Sequence, residues 1–323
     1  LSGRQNNIGY NIIDSIEVEI GGQTIDKQFG HFLEAYSELT QETGFNLKAA
    51  TAEDIRYTQN PTATNNFSKF QFTTGAGGIK VNNFDYLYVP LQFWFNRNVG
   101  LSLPLIALQY HQVDIIINIS SIYDRIVVGD KKDFSLWCNY IYLDTDERRR
   151  FAQVSHEYLI EQVQTQNNIL TDSVNNIELI FNHPVKELIW VALNVDWGAD
   201  EADTGRFVAP YDNTTTVNLL FNGQERFQQQ KIEFFTRYQP YKYHTNVSRG
   251  DVLDTIAVYS FALNPEEHQP SGTCNFSRID SAYLNLNNLD NPSSKASKGL
   301  YIYAINYNVL RIMSGMGGLA YSN

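Results

Sequence analysis

Hydrophobic and polar residues alternate with a period of two along much of the chain, which is typical of β-strands with one buried face. Near the start of the chain, Ile16, Val18 and Ile20 share one face, while the residues between them are acidic. Gly21-Gly22 follows, and two adjacent glycines after such a stretch indicate a tight hairpin turn. The opening of the sequence therefore predicts a β-hairpin whose second strand covers 23–27.

Short alternating or apolar stretches recur to the end of the chain, and turn-forming residues separate them. The predicted strands are 12–20, 23–27, 87–95, 113–119, 134–143, 158–163, 177–181, 188–193, 217–221, 232–238, 256–263, 282–286 and 300–310. Within 87–95, Pro90 lacks a backbone donor and indicates a sheet edge or the start of a strand. The apolar run 113–119 indicates a buried strand.

Helical patterns are short and few. Brief helices are predicted from amphipathic or capped stretches, and loops from polar stretches. The helices are 31–39 and 144–150, and a capping box at 51–54 opens another short helix. The loops are 58–83, 196–215 and 287–299. No predicted helix is long enough to connect two parallel strands, which excludes a doubly wound α/β fold. Many short strands separated by turns predict an all-β sandwich or barrel.

The second half of the chain repeats the first in the order of its elements. Residues 16–23 and 217–224 both consist of a strand, a turn containing glycine and a glutamine. The tyrosine-rich stretch 140–142 likewise corresponds to 301–303. Repeated elements in the same order predict two copies of one β domain. The polar stretch 164–176 is the best candidate for a linker between the copies.

The composition agrees with a packed, strand-rich protein. Of 323 residues, 43% are hydrophobic and 13% aromatic, which is too apolar for a disordered chain. A formal net charge of -11 argues against direct nucleic-acid binding, because phosphate contacts need a basic surface. Cys138 and Cys274 are too few for a disulfide framework, and Cys138 is predicted to be a small core residue. No apolar run is long enough for a transmembrane segment.

Candidate catalytic and metal-binding residues are better explained by structure. Asp144 and Asp146 have the spacing of a metal-binding acid pair, yet they also lie where a helix start needs capping. Glu17 and Glu19 resemble a glycosidase pair, but strand alternation alone places two acids on one face. The six histidines show no metal-ligand spacing. The sequence therefore predicts no catalytic, cofactor-binding or metal-binding residue.

Two further polar features remain open. The basic run Arg148-Arg149-Arg150 fits either a contact with acids of a neighbouring subunit or a solvated helix face. Five asparagines begin an N-x-Ser/Thr sequence, which is the acceptor of N-linked glycans: Asn66, Asn118, Asn213, Asn246 and Asn275. Asn213 and Asn246 lie in predicted loops and are the two candidate sugar carriers. A protein that does not meet the secretory glycosylation machinery would leave all five unmodified, and this is the preferred expectation.

Longer motifs carry a family resemblance. Near the C-terminus, Pro270-Ser271-Gly272 begins a turn and a strand, in the motif Pro-Ser-Gly-Thr-Cys-Asn-Phe-Ser-Arg-Ile-Asp, and a second motif covers 307–321. Earlier blocks of the same kind are 14–27, 103–111, 143–153, 156–162 and 182–184. These motifs resemble those of the major capsid proteins of large eukaryotic double-stranded DNA viruses, which include phycodnaviruses, iridoviruses and mimivirus-like viruses.

The resemblance implies an all-β fold of two tandem eight-stranded jelly-roll barrels, 1–168 and 169–323. It implies a homotrimer that forms a pseudo-hexagonal capsomer and tiles an icosahedral shell with neighbouring capsomers, minor capsid proteins and penton proteins. The implied location is the virion, assembled in the cytoplasm of an infected eukaryotic host. In the family, residues before the block at Asp14 carry the opening strands of the first barrel, so an N-terminally truncated chain is expected.

A second interpretation is a carbohydrate-binding or carbohydrate-cleaving β-sandwich protein, which the aromatic and acidic content allows. Such a protein needs an exposed Trp or Tyr platform beside paired carboxylates. Trp94, Trp137 and Trp190 all lie inside predicted strands at core-facing positions, which argues against this interpretation.

Overall fold

The computed structural model describes most of the 323 residues. The described residues are 8–41, 74, 87–121, 134–170, 173–193, 207–211, 213–245, 255–289 and 299–322. Several predicted features lie outside them, namely the capping box at 51–54, the loop 58–83 apart from Thr74, most of the loop 196–215, and the asparagines Asn66 and Asn246.

Strands predominate over helices in the described part of the chain, as the hydrophobic pattern predicted. The strands are β1 (Ile13–Ile20), β2 (Gln23–Phe29), β3 (Val113–Ile119), β4 (His156–Ile169), β5 (Asn175–Glu178), β6 (Pro184–Leu193), β7 (Phe207–Val208), β8 (Thr216–Phe221), β9 (Gln224–Glu225), β10 (Gln230–Lys231), β11 (Ile256–Ser260), β12 (Cys274–Asn275), β13 (Ala282–Asn287), β14 (Gly299–Met313) and β15 (Met316–Leu319). The α-helices are α1 (Ile8–Ile12), α2 (Gly30–Thr40), α3 (Trp94–Arg97), α4 (Thr145–Gln153) and α5 (Gln239–Tyr243). Short 3-10 helices cover Val99–Leu101 and Phe276–Arg278, and a π-helical turn covers Phe234–Tyr238. None of the helices described has the length and apolar content of a membrane span.

The chain divides into two compact units, each built from separate segments. The larger unit comprises Leu1–Tyr10, His31–Pro90 and Val163–Asn306, and the smaller comprises Asn11–Gly30, Leu91–Gln162 and Tyr307–Asn323. Strand β14 passes from the larger unit into the smaller one. The division into jelly rolls at 168 and 169 stays a prediction.

The larger unit contains two antiparallel sheets that share one core. In one sheet, β8 lies between β10 and β13, and β13 pairs with β5 on its other side. In the other sheet, β6 lies between β11 and the 299–306 part of β14. Alternate residues of β13, from Ala282 to Leu286, are buried in one cluster with Trp190 of β6 and Ile302 of β14. Because both sheets supply this cluster, the larger unit is a β-sandwich.

The smaller unit contains a three-stranded antiparallel sheet in which β1 lies between β2 and β3. Ile16, Val18 and Ile20 of β1 are buried, as their alternation predicted. Strand β3 forms where it was predicted, but it is half-buried over 113–115 and exposed over 116–119. The prediction that β3 is buried is therefore wrong. Its apolar residues specify a strand, but among the described strands only β1 pairs with it.

Three hairpins turn with the same two-residue geometry. Gly21-Gly22 joins β1 to β2, Asn222-Gly223 joins β8 to β9, and Ser314-Gly315 joins β14 to β15. Each pair has positive φ at both residues, between 51° and 82°. Positive φ at both central residues defines the type I′ turn, which matches the twist of antiparallel strands and favours glycine and asparagine. The first two hairpins are those that the internal repeat related, so the corresponding stretches fold in the same way.

The stretch 232–238 was predicted as a strand, but it forms the π-helical turn that continues into α5. Its buried residues explain the error. Ile232, Phe235, Thr236 and Gln239 are buried, and they occupy positions i, i+3, i+4 and i+7, which is the helical period. A window of seven residues is too short to separate that period from an apolar strand.

The stretch 87–95 also forms no strand. Residues 87–92 have no regular structure, and α3 begins at Trp94. Phe93 and Trp94 are buried at 0% and 2% exposure, with their rings edge to face at 6.5 Å. Pro90 lacks the N–H that a strand ladder needs, and its carbonyl accepts a hydrogen bond from the Tyr10 hydroxyl at 3.3 Å. Phe93 and Trp94 are therefore buried without a strand.

The polar stretch 164–176 was predicted as a linker, but β4 runs through the first part of it. The Gln164 side chain accepts a hydrogen bond from the Asn182 N–H at 2.9 Å and donates one to the Asn182 carbonyl at 2.7 Å. The Gln166 side chain accepts a bond from the Ile180 N–H at 2.9 Å. A side-chain amide offers the same donor and acceptor as a peptide group. The glutamines thus serve backbone groups of the neighbouring segment, which makes the polar stretch part of the structure.

Candidate assembly surface

The candidate metal-binding acids, Asp144 and Asp146, lie at the start of α4. The Asp144 carboxylate accepts a hydrogen bond from the Asp146 N–H at 2.8 Å, and the Glu147 carboxylate accepts one from the Asp144 N–H at 3.3 Å. This capping box serves N–H groups that a helix start leaves without partners. Across the described ranges, no group of three or more His, Cys, Asp or Glu side chains is arranged to hold a metal ion.

The candidate glycosidase pair, Glu17 and Glu19, has partners on the facing strand β2. Glu17 lies opposite Lys27, and its carboxylate is 2.7 Å from the Lys27 ammonium. Glu19 lies opposite Thr24 and accepts a hydrogen bond from the Thr24 hydroxyl at 3.3 Å. Opposed pairs of this kind stabilise a hairpin. The arrangement of both acids is therefore explained by the sheet.

The glycine of the C-terminal motif allows two segments to approach closely. Gly272 has a φ of 144°, and a Cβ at this position would lie 2.7 Å from the Phe261 carbonyl oxygen. The hydroxyl of the preceding Ser271 accepts a hydrogen bond from the Asn264 N–H at 2.9 Å. Phe276, further along the motif, is buried in the core. The motif that carries the resemblance therefore builds the fold of the larger unit.

Only one of the two candidate sugar carriers lies within the described residues. Asn213 is exposed on a turn, whereas Asn246 falls in an undescribed range. Thr215, the third residue of the Asn213 sequon, is buried, and its hydroxyl donates a hydrogen bond to the Asn288 carbonyl at 2.7 Å. The asparagine is therefore accessible, while the threonine holds the turn. Glycosylation at both positions stays a prediction.

The two cysteines are both free thiols. Cys274 of β12 is half-buried, and burial raises the pKa of its thiol while the positive charge of Arg226 partly opposes that rise. Cys138 was predicted to be a core residue but is exposed. It lies on an exposed surface of the smaller unit.

That surface is the stretch 134–143, here called the aromatic segment. It was predicted as a strand with Trp137 facing the core, but it has no regular structure and Trp137 is 87% exposed. Tyr142 is 92% exposed. The predictions for the strand, for Trp137 and for Cys138 are wrong for one reason. Alternation of residue types specifies two different faces, but it does not say what covers either face.

Large apolar side chains are exposed on both the aromatic segment and β3. They are Ile116, Ile117, Ile119, Phe134, Leu136, Trp137, Tyr140, Ile141 and Tyr142, each at least 38% exposed. Single exposed apolar residues are common on proteins, but concentrated exposure marks an interaction surface. The smaller unit therefore presents side chains that another protein surface can bury.

Helix α4 follows the aromatic segment directly and extends the exposed stretch. From 134 to 150, every residue except Leu143 is exposed. Arg149 is 4.0 Å from Asp146 within the helix, which at this exposure contributes little stability. Arg148 and Arg150 are exposed as well. Both interpretations of the arginine run, a contact with a neighbouring subunit and a solvated face, agree with this position.

A buried charged cluster around His244 was not predicted from the sequence. His244 lies 3.1 Å from the Glu187 carboxylate and 3.0 Å from the Glu266 carboxylate. A signal was present in Lys186-Glu187, because charged residues at the head of an apolar strand need partners when they are buried. The partners come from distant parts of the sequence, so no local pattern could identify them.

Family models match two parts of the chain. Residues 3–144 match a model described as the major capsid protein N-terminus, and residues 147–318 match one described as the large eukaryotic DNA virus major capsid protein. A major capsid protein of Pyramimonas orientalis virus is 45% identical, over 98% of this chain and 78% of that protein. A major capsid protein of Paramecium bursaria Chlorella virus 1 is 37% identical, over 97% of this chain and 79% of that protein.

Solved structures agree with these sequence matches. A crystal structure of PBCV-1 VP54, fitted into a reconstruction of the virophage Sputnik, has a TM-score of 0.75 at 33% identity and covers 98% of this chain and 84% of its own. The Faustovirus major capsid protein has a TM-score of 0.61 at 14% identity, which is a likeness of fold alone.

Proposed function

Because this chain belongs to the family of large eukaryotic DNA virus major capsid proteins, we propose that it is a structural subunit of a viral capsid shell. Its fold is the double jelly roll of that family, as the resemblance implied. Within the chain, one observation carries the proposal, namely the exposed aromatic segment of the smaller unit. A shell subunit works by burying such surfaces against its neighbours.

The subunit acts as a homotrimer. Three copies of a subunit with two barrels supply six barrels, which gives a capsomer its pseudo-hexagonal outline, and capsomers of this shape tile an icosahedral shell. Interfaces of permanent assemblies are large and more apolar than the remaining surface. Exposed side chains such as Trp137 and Tyr142 support this role, because aromatic residues supply much of the binding energy at protein interfaces.

The further partners are neighbouring capsomers, minor capsid proteins and penton proteins. The protein resides in the virion, and the shell assembles in the cytoplasm of an infected eukaryotic cell. A net charge of -11 supports contacts with protein rather than with the packaged nucleic acid, because a negative surface repels phosphate.

The chain performs no catalysis in this proposal. The acids that resemble catalytic or metal-binding groups have structural partners, as the Asp144 cap and the Glu17–Lys27 pair illustrate. The carbohydrate-binding alternative finds no such support. Trp94 and Trp190 are buried and cannot form a sugar platform, whereas Trp137 is exposed, so the argument from core-facing tryptophans holds for only two of the three. The relatives described above are named as capsid proteins.

The proposal is tested by the size and shape of the full chain in solution. Sedimentation analysis should give the mass of a trimer, and negative-stain images should show particles with a pseudo-hexagonal outline. A monodisperse monomer at high protein concentration would count against the proposal. A glycan array should show no binding, and reproducible affinity for one glycan class would favour the carbohydrate alternative instead.

A further inference from the structure

Three elements of the larger unit meet at His244, the residue that follows α5. Glu187 reaches it from β6, and Glu266 reaches it from the turn 261–273 that joins β11 to β12. The Nε2 atom of His244 is 3.1 Å from the Glu187 carboxylate, and the Nδ1 atom is 3.0 Å from the Glu266 carboxylate. One imidazole ring therefore connects a core strand, a helix end and a long turn.

The cluster is buried, so its charges must be matched within the protein. The side chains of His244 and Glu187 have no exposed surface, and the side chain of Glu266 is 23% exposed. A carboxylate removed from water is stable only beside a compensating charge or hydrogen-bond donors. A doubly protonated imidazolium supplies both, because each ring nitrogen then carries a proton to donate.

Electrostatics agree with this geometry. Burial alone would lower the pKa of His244, but the charges of Glu187 and Glu266 and the hydrogen bonds to them outweigh burial and raise the pKa to about 9. Burial alone would raise the pKa of Glu266, but hydrogen bonds from His244 and Thr245 outweigh burial and lower that pKa. At neutral pH His244 is therefore an imidazolium beside the Glu266 carboxylate.

These elements carry further charged groups. The fully buried Lys186 of β6 donates from its Nζ atom to the Pro265 carbonyl at 2.5 Å. Lys242 of α5 lies over the rings of Tyr238 and Tyr243, at 6.0 Å and 5.5 Å from their centroids. In the turn, Glu267 and His268 follow Glu266 in the sequence.

We propose that protonated His244 is a latch that holds the turn 261–273 and the end of α5 against β6, and that this latch opens when His244 loses its proton. A neutral imidazole donates from one nitrogen only. It can then serve one carboxylate, while the other faces a ring lone pair. Glu266 keeps its hydrogen bonds from the N–H and the hydroxyl of Thr245, so the contact that weakens is the one between His244 and Glu187 of β6.

The direction of the pH effect follows from the two states of His244. Its pKa is about 9 in the folded chain against 6.5 in the unfolded chain. The proton therefore stabilises the folded chain fully below pH 6.5, and this contribution is lost as the pH rises through about 9. The latch is closed at neutral pH and opens under alkaline conditions.

The first test uses the unmodified chain. In a titration followed by NMR with labelled histidine, the His244 ring signal should change with a midpoint near 9. The Phe261 and Ala262 N–H groups of the turn donate to the Lys186 carbonyl of β6 at 2.9 Å and 3.1 Å, so their protection against hydrogen exchange should fall at least about tenfold between pH 7 and pH 10. The Thr245 N–H donates to Glu266 at 2.9 Å and serves as the internal control, because both residues belong to the part that separates from β6. A His244 midpoint at or below 6.5, or unchanged protection of Phe261 and Ala262, would overturn the proposal.

The second test uses variants. H244Q keeps a polar side chain but removes the titrating group, so its unfolding constant should vary less between pH 7 and pH 10 than that of the unmodified chain, by roughly a hundredfold. H268Q removes another histidine of the same turn and should keep the unmodified profile. If H244Q and the unmodified chain show the same pH profile, the latch does not exist. If H244Q fails to fold, the titration of the unmodified chain decides the matter.

Discussion

Gly272 shows how much of the C-terminal motif depends on a single residue. Its φ of 144° is a conformation that side chains rarely adopt, and the Phe261 carbonyl oxygen occupies the place of a Cβ. G272A should therefore lower the free energy of unfolding by about 1–3 kcal/mol, measured by urea denaturation. G100A is the control, because Gly100 has an ordinary φ and a Cβ at this position would lie 3.2 Å from the Asn98 side-chain oxygen, further than the 2.7 Å at Gly272. Equal losses in the two variants would contradict the argument.

The Asp144 carboxylate has two interpretations, a helix cap and a metal ligand, and substitutions at this position distinguish them. D144A removes the acceptor of the Asp146 N–H and should lower the free energy of unfolding by about 1 kcal/mol. D144N should retain nearly all of that stability, because asparagine caps a helix as well as aspartate does. Hydrogen exchange at the Asp146 N–H reports the cap directly. If D144N loses as much protection as D144A, the charge rather than the cap is what matters at this position.

At the scale of elements, β4 extends through residues that are polar because they bind backbone groups. Removing both amides in Q164A/Q166A should lower the free energy of unfolding by about 1.5–4.5 kcal/mol, since the three hydrogen bonds to Asn182 and Ile180 are lost and each contributes about 0.5–1.5 kcal/mol. The Asn182 and Ile180 N–H groups, which donate to these side chains, should lose protection against hydrogen exchange. N176A, an exposed substitution on β5, is the control and should change neither quantity. Unchanged protection at both amides would show that the glutamines are dispensable.

Elements that depend on neighbouring residues were predictable, and elements that depend on distant contacts were not. The β1–β2 hairpin followed from alternation and from Gly21-Gly22, whose positive φ values are a local property. The α4 helix followed from its capping residues. The aromatic segment and β3 were misjudged because their exposure depends on what lies beside them in space. The stretch 232–238 was misjudged because its helical period becomes visible only when Gln239 is included.

At the scale of the whole molecule, motifs predicted more than composition did. Composition and alternation indicated an all-β protein, whereas the long motifs around Gly272 indicated the family, since they combine turn and core residues in a fixed order. The assembly surface needed the structure, because Trp137 has the same sequence environment as a core residue. The His244 cluster also needed it, because Glu187 and Glu266 are brought together by the fold.

The assembly proposal requires that the aromatic segment is buried against a neighbouring subunit. Trp137 and Tyr142 are 87% and 92% exposed, so they contribute little to the stability of the free subunit, and exposed substitutions usually change that stability by less than about 0.5 kcal/mol. Aromatic residues buried at an interface contribute about 2 kcal/mol or more. The double variant W137S/Y142S should therefore weaken assembly while leaving folding intact.

Sedimentation analysis across a range of concentrations measures the assembly of W137S/Y142S, and urea denaturation measures its folding stability. The dissociation constant of the assembled form should rise more than about tenfold, because each 1.4 kcal/mol corresponds to a factor of about ten. Y241S is the matched control, since Tyr241 is an aromatic residue of the larger unit with 75% exposure. The aromatic segment is not an assembly contact if W137S/Y142S assembles as tightly as Y241S. A double variant that unfolds more easily than Y241S would instead show that the segment packs within its own subunit.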